Sequence, residues 1–230
     1  MHRTQPDRQF SSDHFINREL SLLQFQRRVL AQAADPSVPL LERLRFLCIV
    51  SSNLDEFFEV RVAGVKEQQR LGSLALTTDG LAPAELQSRI SREVHSLISD
   101  QYNLLNNTIL PALAAEGIVF LRRSVWTDAQ HLWARDYFIR EVMPVLTPIG
   151  LDPAHPFPRV LNKSLNFAVE LEGRDAFGRS SGAAIVQAPR ALPRVIRLPK
   201  DLTGVDYGFV FLSSMLHAHV GELFEGRRKG

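Results

Sequence analysis

The chain has 230 residues, a hydrophobic content of 45% and a formal net charge of +2, which suit one or two ordinary globular domains. So small a charge indicates neither a nucleic-acid partner nor a membrane surface, and no stretch approaches the ~18 consecutive apolar residues of a membrane span. A single cysteine excludes an internal disulfide framework, and the polar first residues hold no secretory signal, so we expect a cytoplasmic protein.

Three helices are predicted in the first half of the chain. Residues 1–14 are polar and are predicted to form a disordered tail. Apolar residues then recur at helical spacing over 17–33, over about 40–71 and over about 83–113. Helices with one apolar stripe each bury those stripes against one another, so we predict an antiparallel helical domain at 15–115.

For the second helix we also predict a cap, a break and the residues that are buried. Ser37 is a suitable N-cap, and about 30 helical residues would span about 45 Å, so we expect a break near Ser51. Cys48 lies in an apolar run and is expected to be buried. A 3.6-residue period predicts one buried stripe, which consists of Leu54, Phe58, Val62 and Val65.

The second half, 116–230, alternates strand and helix patterns and is predicted to be a mixed α+β domain. Thr127 is expected to cap one helix that runs to about Val142, and Ser213 is expected to cap a last helix. The proline-rich stretch at 144–158 is predicted to be an irregular loop. The predicted strands are 118–121, 164–171, 183–187, 195–198 and 207–212.

Two interpretations of Asn53, a helix cap and a ligand-binding residue, remain open. Asn53 followed by Glu56 at the third position fits a capping box that starts a helix. Phe57 and Val60 lie beside Asn53 on a helical period, so its amide can also meet a ligand at the edge of an apolar surface. An amide offers one donor and one acceptor in a plane, which suits the edge of an adenine.

Six segments of the chain match the motifs of a known family. They are Asn17-Arg18-Glu19-Leu20-Ser21-Leu22-Leu23-Gln24-Phe25, Pro39-Leu40-Leu41-Glu42-Arg43-Leu44-Arg45-Phe46-Leu47, Ser52-Asn53-Leu54-Asp55-Glu56-Phe57-Phe58, Val60-Arg61, Pro144-Val145-Leu146-Thr147-Pro148 and Asp152-Pro153-Ala154-His155-Pro156-Phe157-Pro158. In these segments the chain resembles the long-chain polyphosphate kinases that work through a phosphohistidine. The resemblance runs from about Phe15 through nearly the whole chain and covers about the first third of such an enzyme.

This resemblance implies a function and one site residue. The family transfers the terminal phosphate of ATP reversibly to polyphosphate with Mg²⁺, and the asparagine at the position of Asn53 binds ATP. The resemblance implies that 15–115 is the nucleotide-binding domain and that 116–230 is an incomplete head domain through which copies form a homo-oligomer. No catalytic residue is assigned to this chain, because the family's nucleophilic histidine and its Mg²⁺ ligands belong to later domains. This chain alone is therefore expected to be inactive.

Other candidate residues have structural interpretations. The acids Asp55, Glu56 and Glu59 are expected on a solvated face, since neighbours on a helix point about 100° apart and do not converge on a metal. His155 is expected to be a loop residue held by its prolines. Two histidines of the last helix, His217 and His219, lie on opposite sides and form no metal pair. Three arginines, which could pair with the acids or approach phosphates, are Arg43, Arg45 and Arg61.

One alternative to the enzyme stays open from the sequence. The chain could be a non-catalytic interaction or dimerisation module, or an inactive gene fragment, that kept the helical and head domains for association. The residues alone, without the resemblance, indicate a helical domain followed by an α+β domain. A reading frame that continues past Gly230 is expected for the enzyme, and a stop codon at that point is expected for the module or the fragment.

Overall fold

The computed structural model describes residues 10–72, 75–152, 155–171 and 182–224. The chain divides into two compact units, residues 1–113 and 114–230. The predicted α+β class is confirmed, with helices in the first unit and small mixed sheets in the second. No helix among the described residues is long and apolar enough to cross a membrane.

The first unit consists of α-helices that are interrupted by π-helical turns. Helix α1 packs against both α2 and α4, and a core of leucine, isoleucine and valine fills the space between them. Asn17 starts α1 as an N-cap, because its Oδ1 accepts from the backbone N–H groups of Glu19 at 3.0 Å and Leu20 at 3.1 Å. The elements are α1 (Arg18–Ala34), α2 (Leu40–Glu56), a π segment (Phe57–Val62), α3 (Ala63–Arg70), α4 (Pro83–Leu104), a second π segment (Leu105–Ile109) and α5 (Leu110–Ala115).

The described beginning of the chain differs from the predicted tail. Residues 1–9 of that tail lie outside the described residues. Ser12–His14 form one turn of 3-10 helix, and the tail prediction is wrong for this part. The Ser11 hydroxyl donates a hydrogen bond to Asp13 beside this turn and stabilises it locally.

Two expectations for α2 are wrong. Ser37 does not cap it: both the backbone N–H and the hydroxyl of Ser37 donate to Asp35, at 2.8 and 2.7 Å, and α2 begins after Pro39. Cys48 is exposed, because the buried side of α2 carries Leu47 and Val50, and a residue next to Leu47 points about 100° away.

The break in the second helix occurs six residues later than expected. The helix continues through Ser51, and the hydrogen-bond pattern changes at Phe57 to the wider π turn. One extra residue in a turn changes which positions face the core. Phe57 is therefore buried at 7% exposure, whereas Phe58, which the 3.6-residue period assigns to the core, is 41% exposed.

The described part of the second unit forms two three-stranded sheets. In one sheet, β1 pairs parallel to β6 and β5 pairs antiparallel to β6. In the other, β2 and β3 both pair antiparallel with the central β4. The elements are β1 (Ile118–Phe120), α6 (Asp128–Tyr137), a π segment (Phe138–Val142), β2 (Thr147–Leu151), β3 (Leu165–Glu170), β4 (Ala183–Ala188), β5 (Val195–Arg197), α7 (Lys200–Thr203), β6 (Tyr207–Phe211) and α8 (Leu212–His219), followed by a 3-10 turn (Val220–Phe224).

In this unit the predicted cap of α6 is confirmed, and the loop predicted in place of β2 is wrong. Thr127 caps α6 as predicted, in a complete capping box with Gln130. The loop predicted around Pro148 is wrong, because this proline lies within β2. In the sheet of described strands β2 is an edge strand, and an edge tolerates the missing proline N–H.

Ser213 does not cap the last helix. Helix α8 begins at Leu212, whose N–H donates to the carbonyl of Arg194 at 3.0 Å. A backbone acceptor from the chain before β5 therefore satisfies this helix start in place of a side chain. The buried side of α8, with Met215 and Leu216, joins the core of this unit.

Candidate functional site

A groove of about 340 Å³ opens where α1 lies against the end of α2 and the π segment that follows it. Its walls combine apolar side chains with two amides, one carboxylate and one guanidinium. A concave surface that combines apolar side chains with a few polar groups is typical of a small-molecule site. The lining residues are Leu22, Phe25, Gln26, Asn53, Glu56, Phe57, Val60 and Arg61.

Asn53 lies on the wall of this groove, within the last turn of α2. The helix begins at Leu40 and continues through Glu56, so Asn53 is an interior residue and the predicted capping box with Glu56 does not form. Its side chain is instead half-buried, and its Nδ2 donates a hydrogen bond to Gln26 Oε1 at 2.9 Å. The structure therefore places the Asn53 amide at the edge of an apolar surface, as the helical period indicates.

Gln26 is the site residue that the sequence interpretation missed. It is 8% exposed and occupies the buried side of α1 together with Leu23, Leu30 and Ala33. A signal was available, because a polar residue interrupts an apolar stripe at the i+3 position after Leu23. Buried amides need hydrogen-bond partners, and this one accepts from Asn53 across the helix pair.

The π turn determines which side chain of the segment reaches the groove. Counted from the buried Phe57, an uninterrupted α-helix would next bury Arg61, four residues later. Across the π turn the next buried residue is Val62, five residues later and 3% exposed, and the half-buried Arg61 lines the groove. Turns of this kind are frequent at functional sites.

The other two arginines contact the protein away from the groove. Arg43 is 9% exposed, and its Nε donates to the carbonyl of Ala33 at 2.8 Å. Arg45 lies on the surface, with NH1 3.6 Å from a Glu42 carboxylate oxygen. Of the three arginines considered from the sequence, Arg61 is the one that lines the groove.

The acids of the motif lie on the exposed surface of the helix. Asp55, Glu56 and Glu59 are exposed, as expected for a solvated face. Across the described ranges, no three His, Cys, Asp or Glu side chains come together as metal ligands. Mg²⁺ prefers several oxygen ligands in octahedral geometry, and these separated carboxylates do not fit that requirement.

The three histidines considered from the sequence have different surroundings. His155 is an exposed loop residue, with Nδ1 3.3 Å from Asp152 Oδ2, and it borders a separate open cavity of about 670 Å³ beside β2. His219 is buried at 8% exposure against the ring of Phe138, with centroids 5.9 Å apart. His217 is exposed on α8. None of these three histidines lines the groove between α1 and α2, so we assign no nucleophile to it.

Comparisons with known proteins agree with this architecture. One family model, the polyphosphate kinase N-terminal domain, matches residues 15–121, and a second, the polyphosphate kinase middle domain, matches residues 129–229. The chain belongs to the polyphosphate kinase family. The resemblance that the sequence motifs indicate is thereby confirmed.

Relatives and a solved structure give the extent of the similarity. Polyphosphate kinase of Neisseria meningitidis serogroup B is 65% identical over 214 residues, which are 93% of this chain and 31% of that protein. Polyphosphate kinase of Burkholderia vietnamiensis is 63% identical over 209 residues, which are 91% of this chain and 30% of that protein. A crystal structure of polyphosphate kinase from Porphyromonas gingivalis superposes with a TM-score of 0.73 at 28% identity, covering 94% of this chain and 31% of that chain. The chain thus spans about a third of the length of the relatives it matches.

Proposed function

We propose that the groove between α1 and α2 holds the adenine of ATP in a polyphosphate kinase, which transfers the terminal phosphate of ATP reversibly to polyphosphate. The observation that carries this proposal is the Asn53 amide, hydrogen-bonded to Gln26 on the wall of a groove that combines apolar and polar side chains. The names of the relatives support the reaction. The substrates are then ATP, ADP and polyphosphate.

The groove has the chemistry that an adenine needs. The rings of Phe25 and Phe57 and the side chain of Val60 offer apolar surface to the faces of a flat heterocycle. Asn53 meets its polar edge with a hydrogen-bonding amide. Arg61 lies on the same groove and offers a cation to the negatively charged end of the nucleotide.

The role of this chain in the reaction is binding and orientation. Phosphoryl transfer requires in-line positioning and cationic groups around the phosphate that moves. In our proposal Mg²⁺ and the phosphohistidine act at residues outside the groove, and the groove fixes the far end of ATP. The predicted head domain, 116–230, is in our proposal the part through which copies of the protein associate.

The test is the response of ATP affinity to substitution of Asn53. A suitable protein is a hybrid enzyme, in which this chain replaces the matching 31% of the Neisseria meningitidis polyphosphate kinase. Asn53→Ala should raise the apparent ATP constant roughly two- to twelvefold, the value of one hydrogen bond. The maximal rate should change less, because adenine contacts act alike on the ground and transition states.

The control is Asn103→Ala, which removes an exposed asparagine from α4. It should leave both kinetic constants unchanged. Normal ATP dependence in the Asn53→Ala enzyme would contradict the adenine site. It would favour the interaction module as the role of this unit.

A further inference from the structure

The groove carries one carboxylate, Glu56, for which the adenine site alone has no role. Glu56 is the last residue of α2 and one of the residues that line the groove. Among the described residues its side chain has neither a hydrogen-bond partner nor an ion pair, although Arg61 lines the same groove. Both oxygens of this carboxylate are therefore free to accept hydrogen bonds from a ligand.

The position of Glu56 relative to Asn53 is set by the helix that carries both. Glu56 follows Asn53 by three residues within α2, and side chains three apart are neighbours on a helix surface, with Cβ atoms roughly 5–6 Å apart. Asn53 is half-buried, whereas Glu56 is exposed. A ligand that contacts the Asn53 amide at one end therefore meets the Glu56 carboxylate about one helical turn away, on the side nearer to solvent.

The parts of a nucleoside match this order of side chains. The apolar faces of the base suit the buried part of the groove, where Phe57 and Gln26 are 7% and 8% exposed. The ribose is bonded directly to the base, and its polarity suits the exposed side where Glu56 lies. Its two adjacent hydroxyls are donors, and a carboxylate that accepts from ribose hydroxyls is an established way of binding this sugar in dinucleotide sites.

We propose that Glu56 is a specificity-determining residue, which accepts hydrogen bonds from the ribose hydroxyls and so selects ribonucleotides over nucleotides that lack these hydroxyls. The charges of the groove agree with this arrangement. The Glu56 carboxylate repels a triphosphate, and the Arg61 guanidinium attracts it. The phosphates then extend on the side of Arg61, and the sugar stays beside Glu56. This inference rests on the proposed adenine site and adds the recognition of the sugar.

The two effects of this carboxylate on binding have opposite signs. It stabilises a bound ribose through charge-assisted hydrogen bonds, but its charge opposes the nearby triphosphate. A nucleotide without ribose hydroxyls experiences only the repulsion. Removal of the carboxylate should therefore weaken ATP binding, while binding of the dideoxy nucleotide stays the same or becomes tighter. A general loss of stability would weaken both.

The experiment compares apparent constants for ATP and for 2′,3′-dideoxy-ATP in the hybrid enzyme, because both nucleotides carry the terminal phosphate that is transferred. The hybrid without further substitutions should prefer ATP. Glu56→Ala should lower this preference roughly three- to tenfold. Glu56→Gln keeps the side-chain length and one accepting oxygen, so its preference should lie between the two. Equal constants in the hybrid without further substitutions, or an unchanged preference in Glu56→Ala, would overturn the proposal.

The neighbouring acid provides a matched control. Asp55 is also exposed, but it points about 100° away from Glu56 on the helix and lies outside the groove lining. Asp55→Ala removes the same charge from the same turn and should leave the preference for ATP unchanged. A fall as large as that in Glu56→Ala would show that net charge acts at a distance, and would overturn the contact with ribose.

Substitution of Asn53 separates this proposal from the adenine site. If Asn53→Ala raises the apparent ATP constant and Glu56→Ala leaves the preference for ATP over 2′,3′-dideoxy-ATP unchanged, the ribose contact is wrong and the adenine site stands. If Asn53→Ala leaves the ATP dependence normal, the adenine site is wrong and the ribose contact fails with it.

Discussion

Phe57 and Val62 are both buried, at 7% and 3% exposure, although they are five residues apart. Regular helical positions on one side are three or four residues apart, and the π segment Phe57–Val62 supplies the extra residue. The same turn removes Phe58 from the core and keeps Arg61 at the groove. The first two predictions follow from this arrangement.

Replacing the two phenylalanines should have unequal effects on stability. Phe57→Ala removes a buried ring and should lower the free energy of unfolding by about 3–5 kcal/mol. Phe58 is 41% exposed and contacts the ring of Phe57 edge to face, with centroids 5.9 Å apart, so Phe58→Ala should cost about 1 kcal/mol. Urea unfolding of the 230-residue chain measures the loss of stability in each variant. Equal losses would contradict the finding that the π turn buries Phe57 and exposes Phe58.

Arg61 should contribute charge to nucleotide binding. In the hybrid enzyme, Arg61→Gln should raise the apparent ATP constant roughly fivefold at low salt, the effect of about 1 kcal/mol for a partly exposed pair. The difference should shrink as salt increases, because exposed charges are screened. Arg45→Gln, which removes an arginine paired with Glu42 on the surface, is the control. An effect of Arg61→Gln that is independent of salt would indicate lost packing instead.

The sequence predicts most elements of the fold, but it does not predict which residues after the end of α2 face the core. Apolar periodicity locates the helices, and the cap at Asn17 suits its residue type. The π turn buries Phe57 at the point where the helical period changes, and a uniform 3.6-residue period contains no information about such a change. For this reason the period assigns Phe58 to the core in place of Phe57.

The sequence predicts one of the two amides in the candidate site, Asn53, but not the other, Gln26. Asn53 can be placed beside Phe57 and Val60 because all three lie on one segment of the chain. Gln26 lies on α1, 27 residues earlier, and only the packing of α1 against α2 brings it to Asn53. Pairings between helices depend on tertiary structure, so local pattern alone does not give them.

The 230-residue chain by itself should make no polyphosphate. The groove binds and orients, and the resemblance assigns the nucleophilic histidine to later domains, so a covalent route has no first step in this chain. The measurement is incubation with labelled ATP and Mg²⁺, followed by analysis for polymer and for acid-labile phosphoprotein. His155→Ala is the informative companion variant, because His155 is exposed and lies 3.3 Å from Asp152. A phosphorylated protein that loses its label in that variant would show that His155 is a nucleophile.

Acid should weaken the contact that joins the start of α1 to the loop before α4. Asn17 Nδ2 donates to Asp79 Oδ1 at 2.9 Å, while Asn17 Oδ1 caps α1. Burial raises the pKa of Asp79, but hydrogen bonds from Thr77 and Asn17 outweigh it, so the pKa lies below its ordinary value of 3.8.

A carboxyl whose pKa is lower in the folded state stabilises the fold above its unfolded pKa of about 3.9, and this contribution is lost as the pH falls through the folded value. Asp79→Asn should therefore cost about 1 kcal/mol at pH 7, the value of a hydrogen bond. The difference from wild type should disappear in strong acid, where Asp79 is protonated in both states. Urea midpoints of the two proteins at several values between about pH 7 and about pH 2 measure this, with the exposed Asp55→Asn as control. A difference that stays constant over the whole range would show that Asp79 acts through its shape and not through its charge.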